Sequence, residues 1–489
     1  MAPAQGPARA LAWIDDLVER KPMLGALALL ALTLATHAIV LAAPGFYSND
    51  EWQKFDHLRL HGGWDFVRAY GALRPGPEFG FPVRPIGFLQ QGFAAMWMQS
   101  APWASHLVGI LNHALVALAF VWVLRRAGFA GATAGLAGVL FVISPLTTMG
   151  AGWPAASFDQ LYVLFLLLAA AAIPRVPADG MSTWRAAWMV SATTAALLAK
   201  ETAIVAPGVV LLIAYLTWAS NPLRFSWRPF AMAFVAVLFP VVAYLLFRAP
   251  AIATSFAGHA DPAYTPDSGN AVDNAWHFFA FPFRLKLVEM SAAVFRSPWQ
   301  PLAATAAHLL LIAALVRSFG ARFALAYVAG YFVFLLPVLM LPNPGAHCLY
   351  GAALTMSLAL AAVLERSLAA RRLGLAALLL TGAGALFAHD LAIQRHLYDV
   401  GGCQSRFLAS VDTLLAQRTP GIVVVPDPDA SLRVAIRAVS AREAYIANGQ
   451  PVVAFDAPDS QSAAPPAKGA LRARMTAACV LRLETATAP

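Results

Sequence analysis

A polytopic, all-α membrane protein is the fold class this sequence predicts, and three observations predict it. The 489 residues are 60% hydrophobic and only 12% charged, whereas roughly a quarter of a soluble domain is charged. The apolar residues arrive in blocks of about 17 to 22, the length of helix that crosses a hydrocarbon layer. Lys and Arg, which give a formal charge of +9, sit mostly in the short gaps between those blocks. There they act as orientation signals, so the charge implies no nucleic-acid partner. The expected architecture is a bundle of about eleven transmembrane helices with outer-face interfacial helices and a small C-terminal α/β domain.

In chain order the spans read as 23–43, 103–124, 130–149, 157–173, 184–199, 203–219, 230–248, 301–316, 323–341, 349–365 and 373–392. The first block, Met23 to Ala43, follows Arg20 and Lys21; its length and the later spans favour an anchor over a cleaved signal. With the N-terminus cytoplasmic, the short cytoplasmic loops hold Arg125 and Arg126, Arg175 and Arg185, Arg224 and Arg228, Arg317 and Arg322, then Arg366, Arg371 and Arg372. Every one is basic, as the positive-inside rule requires. The transmembrane domain is thus expected over 1–392, with outer loops at 44–102 and 249–300, and a periplasmic domain over 393–489.

Two stretches within the outer loops are apolar but not continuous enough to span. Residues 83–101 read as an amphipathic helix on the outer interface, and 273–296, with Arg284, Lys286 and Arg296, has similar character. In the tail, GIVVVP (421–426), SLRVAIRAVSAREAYI (431–446), PVVAF (451–455) and CVLRLE (479–484) alternate strand and helix patterns. Of the three cysteines, Cys348, Cys403 and Cys479, the last two fall in this domain. A disulfide in an oxidising compartment and two buried free thiols both fit.

Chemistry at an outer surface needs polar groups there. Asp50 and Glu51, in YSNDEWQKFDHL just beyond the first span, could serve as a general base for an acceptor hydroxyl; a helix cap and a solvated acid are the plainer reading. Asn112 and His113 in the second span, Asp159 opening the fourth, and Lys200 with Glu201 between the fifth and sixth are ionisable or polar groups at costly depth. His106 and His113, seven residues apart, share a helix face. A structural hydrogen bond competes with a site role for His113, and capping or packing is the simpler role for Asp159, Lys200 and Glu201.

The order of RPIGFLQQGF (84–93), SHLVGILNHALVAL (105–118), VLFVISPLTTMGAGWPAASFDQLYVLFLLLA (139–169), LLAKETAIVAPGVVLL (197–212) and HCLYGAALTM (347–356) resembles the GT-C superfamily of membrane glycosyltransferases. It is most similar to the multi-span region of the protein O-mannosyltransferases that carry tetratricopeptide repeats. The resemblance implies a GT-C-like bundle and an inverting transfer of sugar from a polyprenyl-phosphate carrier to a glycan, lipid or protein acceptor at the periplasmic face of a bacterial inner membrane. It implies Asp50 as the catalytic acid residue with Glu51 beside it. Arg84 matches the family's Arg-Pro, and Arg84, Lys200 and His347 are the implied donor-phosphate ligands. His106, Asn112, His113, Asp159, Glu201 and Tyr350 are the implied cavity residues.

The chain departs from the pattern at four points. Thr147 stands where the family has a His, Ser157 and Phe158 stand where an Arg is expected before Asp159, His347 replaces a late Arg, and no tetratricopeptide repeat follows the last span. A divalent cation at Asp50 and Glu51 is the one cofactor left open, and two carboxylates are a poor metal predictor. The alternatives to an enzyme are a lipid or polysaccharide transporter or flippase, and a non-catalytic GT-C-like assembly protein. A transporter of the repeat type would carry midplane charges, whereas here they gather near one surface.

Overall fold

The computed structural model describes residues 5–47, 49–71, 83–98, 100–173, 180–220, 225–254, 267–283, 299–342, 345–417, 421–440, 442–447, 450–456 and 469–484. Arg175, Arg224, Arg284, Lys286 and Arg296 lie outside them. The chain is a helical membrane bundle with a small sheet at its C-terminal end. Helix α1 (Gln5–Glu19) precedes α2 (Pro22–Thr36) and the short α3 (Ala38–Leu41). Then follow α4 (Asn49–His61), α5 (Gly63–Tyr70), α6 (Pro85–Ala95), α7 (Pro102–Arg126), α8 (Gly131–Val142), α9 (Pro145–Gly152), α10 (Ser157–Ala171) and α11 (Thr183–Ala199). The bundle continues through α12 (Ala206–Ser220), α13 (Arg228–Thr254), α14 (Asn270–Ala280), α15 (Trp299–Phe319), α16 (Ala321–Val333), α17 (Tyr350–Ala369) and α18 (Leu373–Leu415), and α19 (Leu432–Ser440) lies in the tail.

Among the described residues, seven helical stretches are long and apolar enough to cross a membrane: Pro102–Arg126, Pro154–Ala171, Glu201–Ala219, Arg228–Pro250, Trp299–Phe319, Ala346–Ala369 and Leu373–Leu415. The expected span 130–149 consists of two helices, α8 and α9, that form a pair bent by 60°. Pro145 removes an N–H and starts a new helix at its preferred first position. Ser144 accepts from Leu146 N at 3.3 Å, and the Thr147 hydroxyl donates to the Phe141 and Ser144 carbonyls at 3.0 and 2.8 Å. Those bonds satisfy backbone groups that lipid cannot. Counting the pair gives eight. The other three expected spans are the shorter helices α2, α11 and α16. Stretch 83–101 forms only the 11-residue α6, about 16 Å long and too short to cross.

Pro occupies the first turn of α2, α6, α7 and α9, where its missing N–H costs nothing. Gly320, at φ +88°, alone turns the chain between α15 and α16. Such short connections reverse direction, so span ends alternate sides. Arg125 and Arg126 close α7, Arg317 lies in the last turn of α15, and Arg366 in that of α17. Helix α1 packs at this basic end, where Asp15 Oδ1 accepts from Ala132 N at 3.1 Å in the first turn of α8.

Helix α18 has 43 residues and so extends about 65 Å, more than twice the hydrocarbon thickness. Its last turns pack, through Phe407, Leu408, Val411 and Leu414, on a core shared with the tail sheet and with Trp52 and Phe55 of α4. The sheet order is β4–β1–β5–β6. Strand β1 (Ile422–Pro426) is central, a short β2 (Ile446–Ala447) and β3 (Gln450–Pro451) pair antiparallel, and β4 (Val453–Phe455) lies parallel to β1. Strand β5 (Leu471–Met475) pairs parallel with β1 and antiparallel with β6 (Leu481–Leu483). Cys403 of α18 and Cys479 form a disulfide, with Cα atoms 5.2 Å apart, that ties the β5–β6 turn to the helix; Cys348 is a buried free thiol.

Candidate active site

The acidic segment is held before its chemistry is considered. Gly45 and Gly401 of α18 touch backbone to backbone, and a Cβ built on Gly45 would stand 2.3 Å from the Gly401 oxygen. The Ser405 hydroxyl donates to Pro44 O at 2.9 Å, and the Gln404 amide donates to Tyr47 O at 3.2 Å. Gln404 also accepts from the Trp52 indole at 3.0 Å. Helix α4 therefore starts at a fixed place on α18.

From that start, neighbouring acids meet different surroundings. Asp50 is half-buried in the first turn of α4, and no hydrogen bond or ion pair to it occurs among the described residues. Glu51 is 5% exposed. Its Oε1 accepts from Ala155 N at 3.4 Å, while Oε2 has no hydrogen-bond partner among the described residues. Burial, with the Asp50 charge second, pushes its carboxyl up to about 8, so Glu51 is mostly neutral at pH 7. Glu51, Lys54, Gln91, Ser105 and Pro154 line one small cavity. Burial lowers the Lys54 ammonium, against the charges of Asp50 and Glu51, which raise it; Arg84 acts in the lowering sense. Lys54 also lies 5.5 Å from the Phe88 ring centroid.

The cations expected to face a phosphate all carry contacts. Arg84, at the N-terminus of α6, grips Glu201 at two points: Nε donates to Oε2 at 2.7 Å, and Nη2 contacts Oε1. Its guanidinium lies 5.0 Å over the Phe158 ring. Lys200 Nζ lies 2.6 Å from Asp159 Oδ1, with both side chains buried. His347, just before α17, sets its ring edge-on to Trp153 at 5.3 Å, and its Nδ1 has no hydrogen-bond partner among the described residues. Asp159, Lys200 and Arg84 all act electrostatically on His347. Asp50, Arg84, Asp159, Lys200, Glu201 and His347 all stand at helix starts or ends on the side opposite the Arg125–Arg126 end.

The remaining expected residues pack on the acidic segment or in the bundle core. His106 Nε2 is 3.0 Å from Gly45 O, and the ring stacks on Phe46 at 5.0 Å. His113 Nδ1 meets the Tyr350 hydroxyl at 2.8 Å in the bundle core, and its ring lies 5.1 Å from that of His37. Asn112 is buried beside it. These contacts position the acidic segment and the core helices.

Two arrangements escaped the sequence reading. Asp56, fully buried, accepts from Arg442 Nε at 2.8 Å and Ala444 N at 3.2 Å, clamping α4 to the tail domain. Asp390 of α18 bonds the Thr148 hydroxyl at 2.5 Å and the Gln394 amide at 2.8 Å. Both unite residues far apart in sequence; for Asp390 the local signal was an acid inside an otherwise apolar stretch, and for Asp56, in the polar run NDEWQKFDHLRLH, there was none.

No family model matches the chain, and no curated protein matches it. Among solved structures it is similar to the crystal structure of ArnT from Cupriavidus metallidurans bound to undecaprenyl phosphate, with 13% sequence identity, 92% of each chain covered and a TM-score of 0.48.

Proposed function

We propose that the chain is an inverting glycosyltransferase that moves a sugar from a polyprenyl-phosphate carrier to an acceptor hydroxyl at the periplasmic face of a bacterial inner membrane. The observation that carries the reading is the contrast between Asp50 and Glu51: one half-open acid on a fixed helix, one buried neighbour held neutral at pH 7. Asp50 takes the proton as the acceptor oxygen attacks the sugar's anomeric carbon, and the carrier phosphate leaves with the electrons of the broken bond. Glu51, uncharged, lets a single negative charge act beside the acceptor. Arg84 and Lys200 supply positive charge, and His347 a buried imidazole nitrogen, for the leaving phosphate, where an interaction that strengthens as charge develops speeds the reaction.

The periplasmic side is supported by the basic residues at the opposite helix ends and by the Cys403–Cys479 disulfide, which suits an oxidising compartment. The test is transfer of labelled sugar from polyprenyl-phosphate donors by purified wild type and Asp50→Asn. Asn keeps the shape but takes no proton, so the rate should fall by about 10²- to 10⁴-fold with thermal stability nearly unchanged. Wild-type rates in Asp50→Asn would remove the base assignment. No turnover by the wild type with any such donor would favour a flippase or assembly role.

A further inference from the structure

Helix α4 carries a second cluster, two turns beyond Asp50. His57 and His61 are four residues apart and so project from one face of the helix; their rings lie 4.7 Å apart. Glu443 of the tail domain meets both: its Oε1 is 3.7 Å from His57 Nδ1 and its Oε2 is 2.8 Å from His61 Nε2. One ligand atom from each of the three residues can be chosen such that all lie within 4.8 Å of one another.

The surroundings hold these groups in place. Glu443 sits between Arg442 and Ala444, and both of these bond Asp56 Oδ2, on the helix turn that bears His57. The carboxylate is thereby presented by a backbone fixed on either side of it. His57 is buried, with the Tyr70 ring edge-on at 5.2 Å and the Phe66 ring at 6.1 Å. His61 is half-exposed, leaving an approach from solvent. Two imidazoles and a carboxylate are a donor set that suits zinc and leaves a fourth position for water. Magnesium and calcium prefer oxygen ligands throughout.

We propose that His57, His61 and Glu443 bind a zinc ion that fastens the helix carrying Asp50 to the C-terminal domain. Three tetrahedral ligand atoms at about 2.0–2.1 Å from zinc stand roughly 3.3 Å apart, and the three chosen here already lie within 4.8 Å of one another. Rotation of these side chains draws the ligand atoms together around the ion. Ligation joins residues almost four hundred positions apart, so the zinc acts as a cross-link on tertiary structure.

The test uses the full-length chain, purified with a non-histidine affinity tag, stripped with EDTA, then incubated with zinc chloride and gel-filtered. Elemental analysis should find one zinc per wild-type chain, and zinc should raise the thermal midpoint. His61→Ala removes a half-exposed ligand without opening the core, and Glu443→Gln keeps the size of the third; both should bind zinc at least about tenfold more weakly. Neither should gain thermal stability from zinc at wild-type saturating concentration. Substituting cobalt should give the visible absorption of a tetrahedral site in wild type alone. Failure of the wild type to retain zinc, or equal retention by His61→Ala, overturns the proposal and leaves an ordinary His61–Glu443 hydrogen bond. The readouts are metal content, spectrum and melting, so they stand or fall independently of sugar transfer.

Discussion

Arg84 and Glu201, 117 residues apart in sequence, form a two-point ion pair at the mouth of the candidate site. The Arg84 side chain is 17% exposed and that of Glu201 39%, so the pair is neither free in water nor sealed from it. An arginine held this way still has N–H groups not committed to Glu201, and these are what a phosphate would meet.

Replacing that arginine separates charge from geometry. Arg84→Lys keeps the charge but not the planar fork, so transfer should weaken while the fold survives. Arg84→Ala should abolish most transfer and cost about 1–3 kcal/mol of stability, a range reduced from that of a sealed pair because Glu201 is partly solvated. Paired melting and transfer assays decide it. Equal wild-type activity in both variants would move the phosphate site elsewhere, with His347 next in line.

The Glu51 carboxyl makes stability depend on pH with a definite sign. Its folded value, raised to about 8, lies above the roughly 4.3 of an unfolded glutamate. The folded chain thus holds a proton that the unfolded chain has released. This contribution is fully present below about pH 4 and is lost as pH rises through about 8. From about pH 5 to about pH 9 the wild-type melting temperature should fall more steeply than that of Glu51→Gln, which has no proton to lose. Parallel curves would assign the proton to another group.

The contact between Gly45 and Gly401 admits no side chain. A Cβ on Gly401 would stand 2.7 Å from Gly45 backbone atoms, whereas Gly382 and Gly384 on the same helix face open space. Gly401→Ala should destabilise by about 1–3 kcal/mol through overpacking and slow transfer by shifting the segment that leads to Asp50. Gly384→Ala should be neutral or stabilising by up to about 1 kcal/mol, because alanine favours helix. Chemical-denaturation midpoints of the two variants, read against wild type, measure the difference.

The Cys403–Cys479 bond closes a separation of 76 residues. Maleimide labelling of the unfolded, unreduced chain should modify Cys348 alone, and reductant should add the other two. The double serine variant should lose about 2–5 kcal/mol, visible as earlier melting or proteolysis of the tail. Full labelling without reductant would exclude the bond.

The membrane spans were legible because lipid demands long, uninterrupted apolar runs, and that demand is local. Helix α1 was not, since its first turns mix Gln5, Arg9 and Trp13 with no span-length pattern, and its role rests on Asp15 meeting a helix 117 residues away. Strand β5 was missed because Arg472 and Arg474 alternate with Leu471, Ala473 and Met475, so its apolar side is only three residues. At the site, the sequence singled out Asp50 and Glu51 together. Their different burial comes from Ala155 and its neighbours covering one and not the other, which no local pattern encodes. The Asp56–Arg442 clamp and the His57–His61–Glu443 group likewise exist only once the tail has folded back on α4.

The length of α18 bears on how the protein meets membranes of different thickness. Helix α4 is fastened to this rod at Gly401, Gln404 and, through the tail, at Arg442. The height of Asp50 is thus referenced to protein and not to the lipid headgroups. A thinner or thicker bilayer can tilt the spans or draw in its own lipids, yet the rod and the acid ride together. The spacing of Asp50 is set by a ruler within the chain, and, if the proposed transfer holds, reconstitution into lipids of differing acyl length should alter how readily a carrier enters more than the chemistry it meets on arrival.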